Sequence, residues 1–128
     1  MSVLVIDVGT SGLRAAVVDE HGDVHGLEYV ASPPSTPFPG LVEFDGEAMA
    51  AAVVQAATRS LEIAGPVDAV GITNQRASTV LWDRTTGEPV GPAIGWQDLR
   101  TVFDCITAKA QHELALAPNQ SATKVAWL

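Results

Sequence analysis

Sulfur and long apolar runs are both scarce in this sequence. A single cysteine, Cys105, excludes an internal disulfide and leaves too few thiolates for a cysteine-based metal site, which fits a reducing compartment. Cys105 is interpreted as a helix residue rather than a nucleophile. No apolar run approaches the roughly 20 residues of a membrane span, and no basic segment at the N-terminus leads into a signal peptide. These absences predict a cytoplasmic location and no insertion in a membrane.

Basic residues are scarce as well. Seven Lys and Arg stand against fifteen Asp and Glu, so the net charge is -8. Because affinity for nucleic acid depends on Lys and Arg contacts to phosphate, this balance argues against a nucleic-acid partner. The expected partner is a small molecule, and a phosphate compound would have to be held by backbone N–H groups, a metal ion and a few well-placed cations.

The first third of the chain has the pattern of an antiparallel meander. Apolar runs rich in branched residues alternate with turn residues at Gly12 and at positions 20–23. The glycine-rich turn leads into another strand, whereas the common phosphate loops lead into a helix. The predicted strands cover residues 3–8, 13–19 and 24–31.

The rest of the chain predicts a proline-rich loop, helices and further strands, which makes an α/β domain with a mixed sheet. The loop covers residues 32–46, and a helix at 46–64 follows Asp45 as its N-cap and stops before Gly65 and Pro66. A second helix is predicted over 99–117, and a last one capped by Asn119 or Ser121. Further strands are predicted at 67–75 and 78–83, with a hairpin turn at 84–89 and a short segment at 90–96.

The first candidate site is "VLVIDVGTSGLRAAVVDEHGDV", where a carboxylate ends a buried strand. Such a group is costly unless a cation meets it, and a glycine-flanked hairpin lets backbone N–H groups approach an anion. Asp7 would hold a hydrated Mg²⁺ ion, and Arg14 would add one positive charge. The phosphate oxygens would be received by Gly9, Thr10 and Ser11. The alternative is a tight turn in which Asp7 caps its own backbone.

The second candidate site is "GITNQRASTVLWDRTTGEPVGPAIGWQDLRT", which has polar residues directly after two apolar runs. A guanidinium, amides, a carboxylate and an indole face suit a polyhydroxylated ligand. The alternative is a buried ion pair between Arg76 and Asp98, with Trp96 in the core. The residues expected to bind substrate are Gln75, Arg76, Trp96 and Asp98.

These two stretches together resemble the N-terminal region of the FGGY family of carbohydrate kinases. The two motifs are most similar in sequence to those of the glycerol kinase and xylulokinase-like branch of the family. The stretch "FPGLVEFD" is similar to the family's loop before the first helix, and "SATKVAWL" resembles the segment after the next helices. Actin-like ATPases have a first motif of the same kind, so that motif is only moderately specific. The second motif is a much more specific sign of the FGGY family. The resemblance covers nearly the whole chain.

The resemblance implies a ribonuclease-H-like (actin-like ATPase) fold, in which two domains close over ATP, Mg²⁺ and a sugar or polyol. Family members are several times longer, so residues 1–128 are expected to be an incomplete N-terminal portion of the first domain. The catalytic base and the adenosine-binding domain would lie outside it, and the chain alone is expected to be inactive. The resemblance matches Asp7, Gly9, Thr10, Ser11 and Arg14 to the phosphate-facing hairpin, and Arg76 and Trp96 to the substrate pocket.

One residue departs from the family pattern. The glycerol branch has glutamate after the arginine, where this sequence has Ala77. This change puts the identity of the acceptor in doubt. Two other functions stay open: a nucleotide-binding module of the same fold with a chaperone or regulatory role, and a non-enzymatic scaffold. Homo-oligomerisation is also left open.

Overall fold

A computed structural model describes all of residues 1–128, which form two compact units. The first unit contains residues 1–33 and 48–75, and the second contains residues 34–47 and 76–128. The elements in chain order are β1 (Val3–Val8), β2 (Gly12–Val18), β3 (Val24–Ala31), β4 (Glu43–Phe44), α1 (Gly46–Ala64), β5 (Ala69–Thr73), β6 (Ala93–Ile94), α2 (Val102–His112) and α3 (Ser121–Trp127).

The first unit is built on a four-stranded sheet with the order β3-β2-β1-β5. β2 pairs antiparallel with both β1 and β3, while β5 pairs parallel with β1. The sheet is therefore mixed, and the predicted meander of three antiparallel strands is confirmed. A register shift between Ala15 and Val17 is the one irregularity in the pairing of β2 with β3.

Alternation along the strands gives the sheet two different faces. One face is apolar and packs against α1 through Ala56, with Leu4, Ile6 and Leu13 among its buried residues. Asp7 and Arg14 are paired across β1 and β2 and point to the opposite face. The period of two thus keeps the apolar side chains under the helix and leaves these charges accessible to solvent.

The sheet of the second unit has only two strands, β4 and β6, and α2 and α3 belong to the same unit. The predicted strand at 78–83 is reduced to isolated bridges, Thr79 with Ile94 and Trp82 with Pro89. The predicted segment at 90–96 is a strand only at Ala93–Ile94. Prolines at 89 and 92 explain both differences, because a residue without an N–H cannot continue a ladder. The predicted turn at 84–89 does close, and the Asp83 carboxylate accepts the N–H groups of residues 85 and 86.

α1 matches the predicted range 46–64 and follows Asp45, whereas α2 is shorter than the sequence pattern predicts. α2 begins at Val102, because a turn closed by the Val102 N–H on the Leu99 carbonyl precedes it. It ends at His112, because Glu113 adopts a left-handed conformation (φ 57°). The predicted range 99–117 was therefore too long at both ends.

The last helix also differs in its cap. α3 has Gln120 at its N-cap, without a side-chain capping bond, so neither Asn119 nor Ser121 has the predicted role. Cys105 lies buried in α2, and its assignment to a helix is confirmed. No helix of the chain combines the length and the apolar character needed to cross a membrane.

Candidate functional site

The phosphate candidates of the first unit lie at one end of β1 and β2. Asp7 and Arg14 are partners in the strand register, and the Arg14 Nη1 lies 3.4 Å from the Asp7 Oδ2. Both side chains are about half exposed. An exposed ion pair contributes only about 0–1 kcal/mol, so a multivalent anion or a hydrated cation can reach either group at small cost. Tyr29 lies under the guanidinium, with 5.4 Å from the Arg14 Cζ to the ring centroid.

The hairpin from Gly9 to Gly12 is closed by its own backbone. The Gly9 N–H donates to the Gly12 carbonyl at 3.0 Å. This amide is therefore engaged within the turn, contrary to the expectation that it receives a phosphate oxygen. A Cβ at Gly12 would lie 2.6 Å from the Tyr29 hydroxyl and 2.7 Å from the Val30 carbonyl, so that position requires glycine. Thr10 and Ser11 form the tip, and Ser11 is exposed.

Gln75 belongs to the first unit and contacts this hairpin. Its Nε2 donates to the Gly9 carbonyl at 2.9 Å, although 66 residues separate the two in sequence. Gln75 follows β5, which is parallel to β1, so both chain segments leave the same edge of the sheet. The Gln75 side-chain amide, which the sequence assigned to substrate, thus contacts the hairpin between β1 and β2.

Arg76, Trp96 and Asp98 belong to the second unit. Arg76 is exposed and forms no ion pair within the chain, so its guanidinium is available to a ligand. Trp96 is 40% exposed, and its backbone N–H donates to the Ser78 Oγ at 3.1 Å. This bond fixes the backbone of Trp96 next to the turn that carries Arg76. The alternative in which Trp96 lies in the core and Arg76 pairs with Asp98 is wrong.

Asp98 is paired with Arg100 instead. The Asp98 side chain has no exposed surface, and its two oxygens accept from the Arg100 Nε and Nη2 at 2.8 Å each. The Val42 N–H donates to the same carboxylate at 2.6 Å, and Glu43 accepts the Arg100 Nη2 at 2.7 Å. A substrate hydroxyl would find no free face on this carboxylate. Asp98 instead joins the β4 segment to the segment after Trp96.

The protonation of Asp98 is set by two opposing causes. Burial alone would raise the pKa of this carboxyl, but hydrogen bonds from Arg100 and from the Val42 N–H outweigh burial and hold the pKa below its ordinary value. A carboxyl with a depressed folded-state pKa stabilises the fold fully above the unfolded-state pKa. Its contribution is lost as the pH falls through the folded-state value.

Asp98→Ala is expected to lower the free energy of unfolding of the chain by about 3 kcal/mol at neutral pH, because it leaves the buried Arg100 guanidinium with Glu43 as its only carboxylate partner. The midpoint of urea unfolding measures this. Asp104→Ala, at an exposed position of α2, is the matched control and should change the value by less than about 1 kcal/mol. The variant should also lose less stability than the wild type between neutral and acid pH; an equal loss would contradict the assigned role of Asp98.

Two buried cations of the second unit were missed by the sequence reasoning. Arg100 follows Asp98 closely in "WQDLRT", and that spacing could have suggested a pair between neighbours. Lys124 is 0% exposed, and its Nζ donates to the Ala77 carbonyl at 2.8 Å. Nothing in its local sequence distinguishes Lys124 from a solvated helix residue, since the contact spans 47 positions.

Solved structures with a similar fold include carbohydrate kinases. Plasmodium falciparum glycerol kinase with ADP superposes with a TM-score of 0.87 at 24% identity, over 99% of this chain and 28% of that one. Xylulose kinase from Rhodospirillum rubrum gives a TM-score of 0.81 at 22% identity, over 87% of this chain and 23% of that one. At these identities the likeness establishes the fold, and the predicted actin-like ATPase class is confirmed.

Sequence comparison is more specific. The glycerol kinase of Trichlorobacter lovleyi is 42% identical over 139 aligned residues, which cover 98% of this chain and 28% of the relative. The chain thus spans little more than a quarter of the length of this curated relative. Residues 2–128 match the family model of the N-terminal domain of the FGGY family of carbohydrate kinases. The chain belongs to the FGGY family of carbohydrate kinases.

Proposed function

We propose that these 128 residues are the N-terminal portion of the first domain of an ATP-dependent sugar or polyol kinase. A longer protein, here called the complete kinase, would supply the catalytic base and a second, adenosine-binding domain. The reaction would transfer the γ-phosphoryl group of ATP to a substrate hydroxyl. The coverage of 98% of the chain but 28% of the relative supports this division.

The observation that carries the proposal is the pair Arg76 and Trp96. The unpaired guanidinium of Arg76 can donate to two hydroxyl oxygens of a polyol, and the half-exposed indole of Trp96 can cover its C–H face. Arg76 lies close to Ser78 because only one residue separates them in the chain. The Trp96 backbone is held at Ser78 by the hydrogen bond from its N–H to the Ser78 Oγ. A nucleotide-dependent switch would have no use for this combination in its first domain.

The first unit would serve the phosphate side. Asp7 presents one half-exposed carboxylate, and no group of three potential metal ligands is present in the chain. This donor set fits Mg²⁺, which keeps several waters and is held by one or two carboxylates together with substrate phosphates. When bound, Mg²⁺ would neutralise charge on the phosphate groups. Asp7 would hold the hydrated ion, Arg14 would contact phosphate oxygens, and Thr10 and Ser11 would contact them from the hairpin tip.

The proposed reaction is tested by the release of ADP from ATP and Mg²⁺ by the complete kinase, with a panel of polyols and sugars. We expect release that depends on the acceptor, and a large increase in KM for the acceptor in Arg76→Met. Arg59→Met, on the exposed face of α1, is the matched control and should behave as the wild type. The 128-residue chain alone should show no release above background. ATP hydrolysis that no acceptor stimulates would favour a chaperone or regulatory role.

A further inference from the structure

The turn that carries Arg76 is held by a buried lysine. The Lys124 side chain has no exposed surface, and the structure gives its ammonium one hydrogen-bond acceptor, the Ala77 carbonyl at 2.8 Å. No carboxylate lies within ion-pair distance of it. Burial lowers the pKa of Lys124, and Asp98 partly opposes this effect. An ammonium buried at such cost, with a backbone carbonyl as its partner, is unusual for a residue that only fills space.

The acceptor of this hydrogen bond has an uncommon conformation. Ala77 has φ 62°, in the left-handed region that non-glycine residues seldom occupy, and Glu113 is the only other such residue in the chain. The conformation at Ala77 sets the direction in which the chain runs from Arg76 to Ser78. A left-handed alanine is unfavourable by itself, so neighbouring groups must hold it.

The helix that carries Lys124 is itself anchored to the segment after Trp96. The Thr101 Oγ1 donates to the Thr123 Oγ1 at 3.0 Å within the core of the second unit. The Arg100 guanidinium lies 4.5 Å from the centroid of the Trp127 ring. Since Arg100 is also held by Asp98, α3 has little freedom to shift. The position of Lys124 relative to Ala77 is therefore fixed by the packing of α3.

We propose that Lys124 is a positioning residue for acceptor binding, which holds Ala77 in its left-handed conformation and so directs Arg76 toward the acceptor. This role rests on the proposed kinase function. Lys124 itself does not contact the acceptor, because its side chain is closed to solvent. Its effect should appear in the KM for the acceptor and leave turnover at saturation unchanged.

The test is steady-state kinetics of the complete kinase with Lys124→Met, which keeps the length and apolar stem of lysine but removes the donor. We expect KM for the acceptor to rise about five- to thirty-fold, the population penalty of a left-handed alanine without its support. The kcat value and the KM for ATP should not change. Lys109→Met, at an exposed position of α2, is the matched control and should match the wild type.

A second substitution separates positioning from general damage. Glycine adopts positive φ without penalty, so Ala77→Gly should restore a large part of the acceptor KM in the Lys124→Met background. Lys124→Gln keeps a neutral donor and should lie between the wild type and Lys124→Met. If Lys124→Met does not fold, Lys124→Gln with and without Ala77→Gly gives the same comparison.

Three results would overturn the inference. An unchanged acceptor KM in Lys124→Met would show that the hydrogen bond does not position Arg76. A fall in kcat together with a rise in the acceptor KM, without any rescue by Ala77→Gly, would assign Lys124 to folding alone. An unmodified complete kinase that phosphorylates no polyol or sugar would overturn the kinase proposal and this inference together, whereas the first two results leave the kinase proposal intact.

Discussion

Asp7→Ala is expected to reduce kcat of the complete kinase by about a hundredfold or more, with little change in the KM for the acceptor. Asp7 lies at the end of the first unit that we propose for phosphate binding, and its half-exposed carboxylate is paired only with Arg14 at 3.4 Å. The loss of the carboxylate would remove the proposed Mg²⁺ contact and leave Arg14 free to bind phosphate without the ion. Turnover should therefore fall, while Arg76 and Trp96, which we propose for acceptor binding, should stay unchanged.

The measurement for Asp7→Ala is steady-state kinetics over a Mg²⁺ titration. Asp23→Ala is the control, because Asp23 is an exposed carboxylate in the turn between β2 and β3. It should leave every constant unchanged. Equal turnover of Asp7→Ala and the wild type at saturating Mg²⁺ would contradict the role of Asp7 in holding the metal.

The second large effect concerns the choice of acceptor. The resemblance places Ala77 where the glycerol branch of the family has glutamate, and on that basis a hydroxyl of glycerol would lose a charged acceptor in the proposed site. A hydrogen bond to a charged group contributes about 1.5 to 3 kcal/mol, which corresponds to roughly tenfold to a hundredfold in affinity. Alanine also leaves room for a larger ligand. We therefore expect kcat/KM for a four- or five-carbon polyol or a ketopentose to exceed that for glycerol.

A panel of glycerol, longer polyols and ketopentoses on the complete kinase tests this preference. Ala77→Glu should raise kcat/KM for glycerol by about tenfold or more and lower it for the larger acceptors. Ala77→Gln is the control, because glutamine has nearly the volume of glutamate but no charge. It should give a smaller increase in kcat/KM for glycerol. Glycerol as the best substrate of the unmodified kinase would show that another group replaces the missing carboxylate.

The elements that the sequence predicted well are those determined by local patterns. The three strands of the meander and α1 follow from period-two and alanine-rich runs with clear turn signals at their ends. α2 was predicted too long, because its end depends on the conformation of Glu113, which the apolar pattern does not encode. The predicted strand at 78–83 did not form a ladder, since its partner segment contains two prolines.

The sequence predicted which residue types the candidate site contains, but it predicted only some of the contacts that these residues make. Arg76 and Trp96 are accessible, as a ligand-binding role requires, whereas Asp98 is enclosed by Arg100 and the Val42 amide. The contact of Lys124 with Ala77 could not be predicted, because it depends on how α3 packs. Local sequence thus indicates which groups are present. Long-range packing decides which of them stay open to a ligand.

The most direct test of the central claim is the identity of the product. Phosphorus NMR of the complete kinase with ATP, Mg²⁺ and its best acceptor should show a new phosphomonoester of that acceptor, formed in the same amount as ADP. The signal should grow about a hundredfold more slowly in Asp7→Ala, in line with its lower kcat, and should weaken in Arg76→Met at low acceptor concentration. Formation of ADP and inorganic phosphate without any phosphorylated acceptor would contradict the assignment of this chain to a carbohydrate kinase reaction.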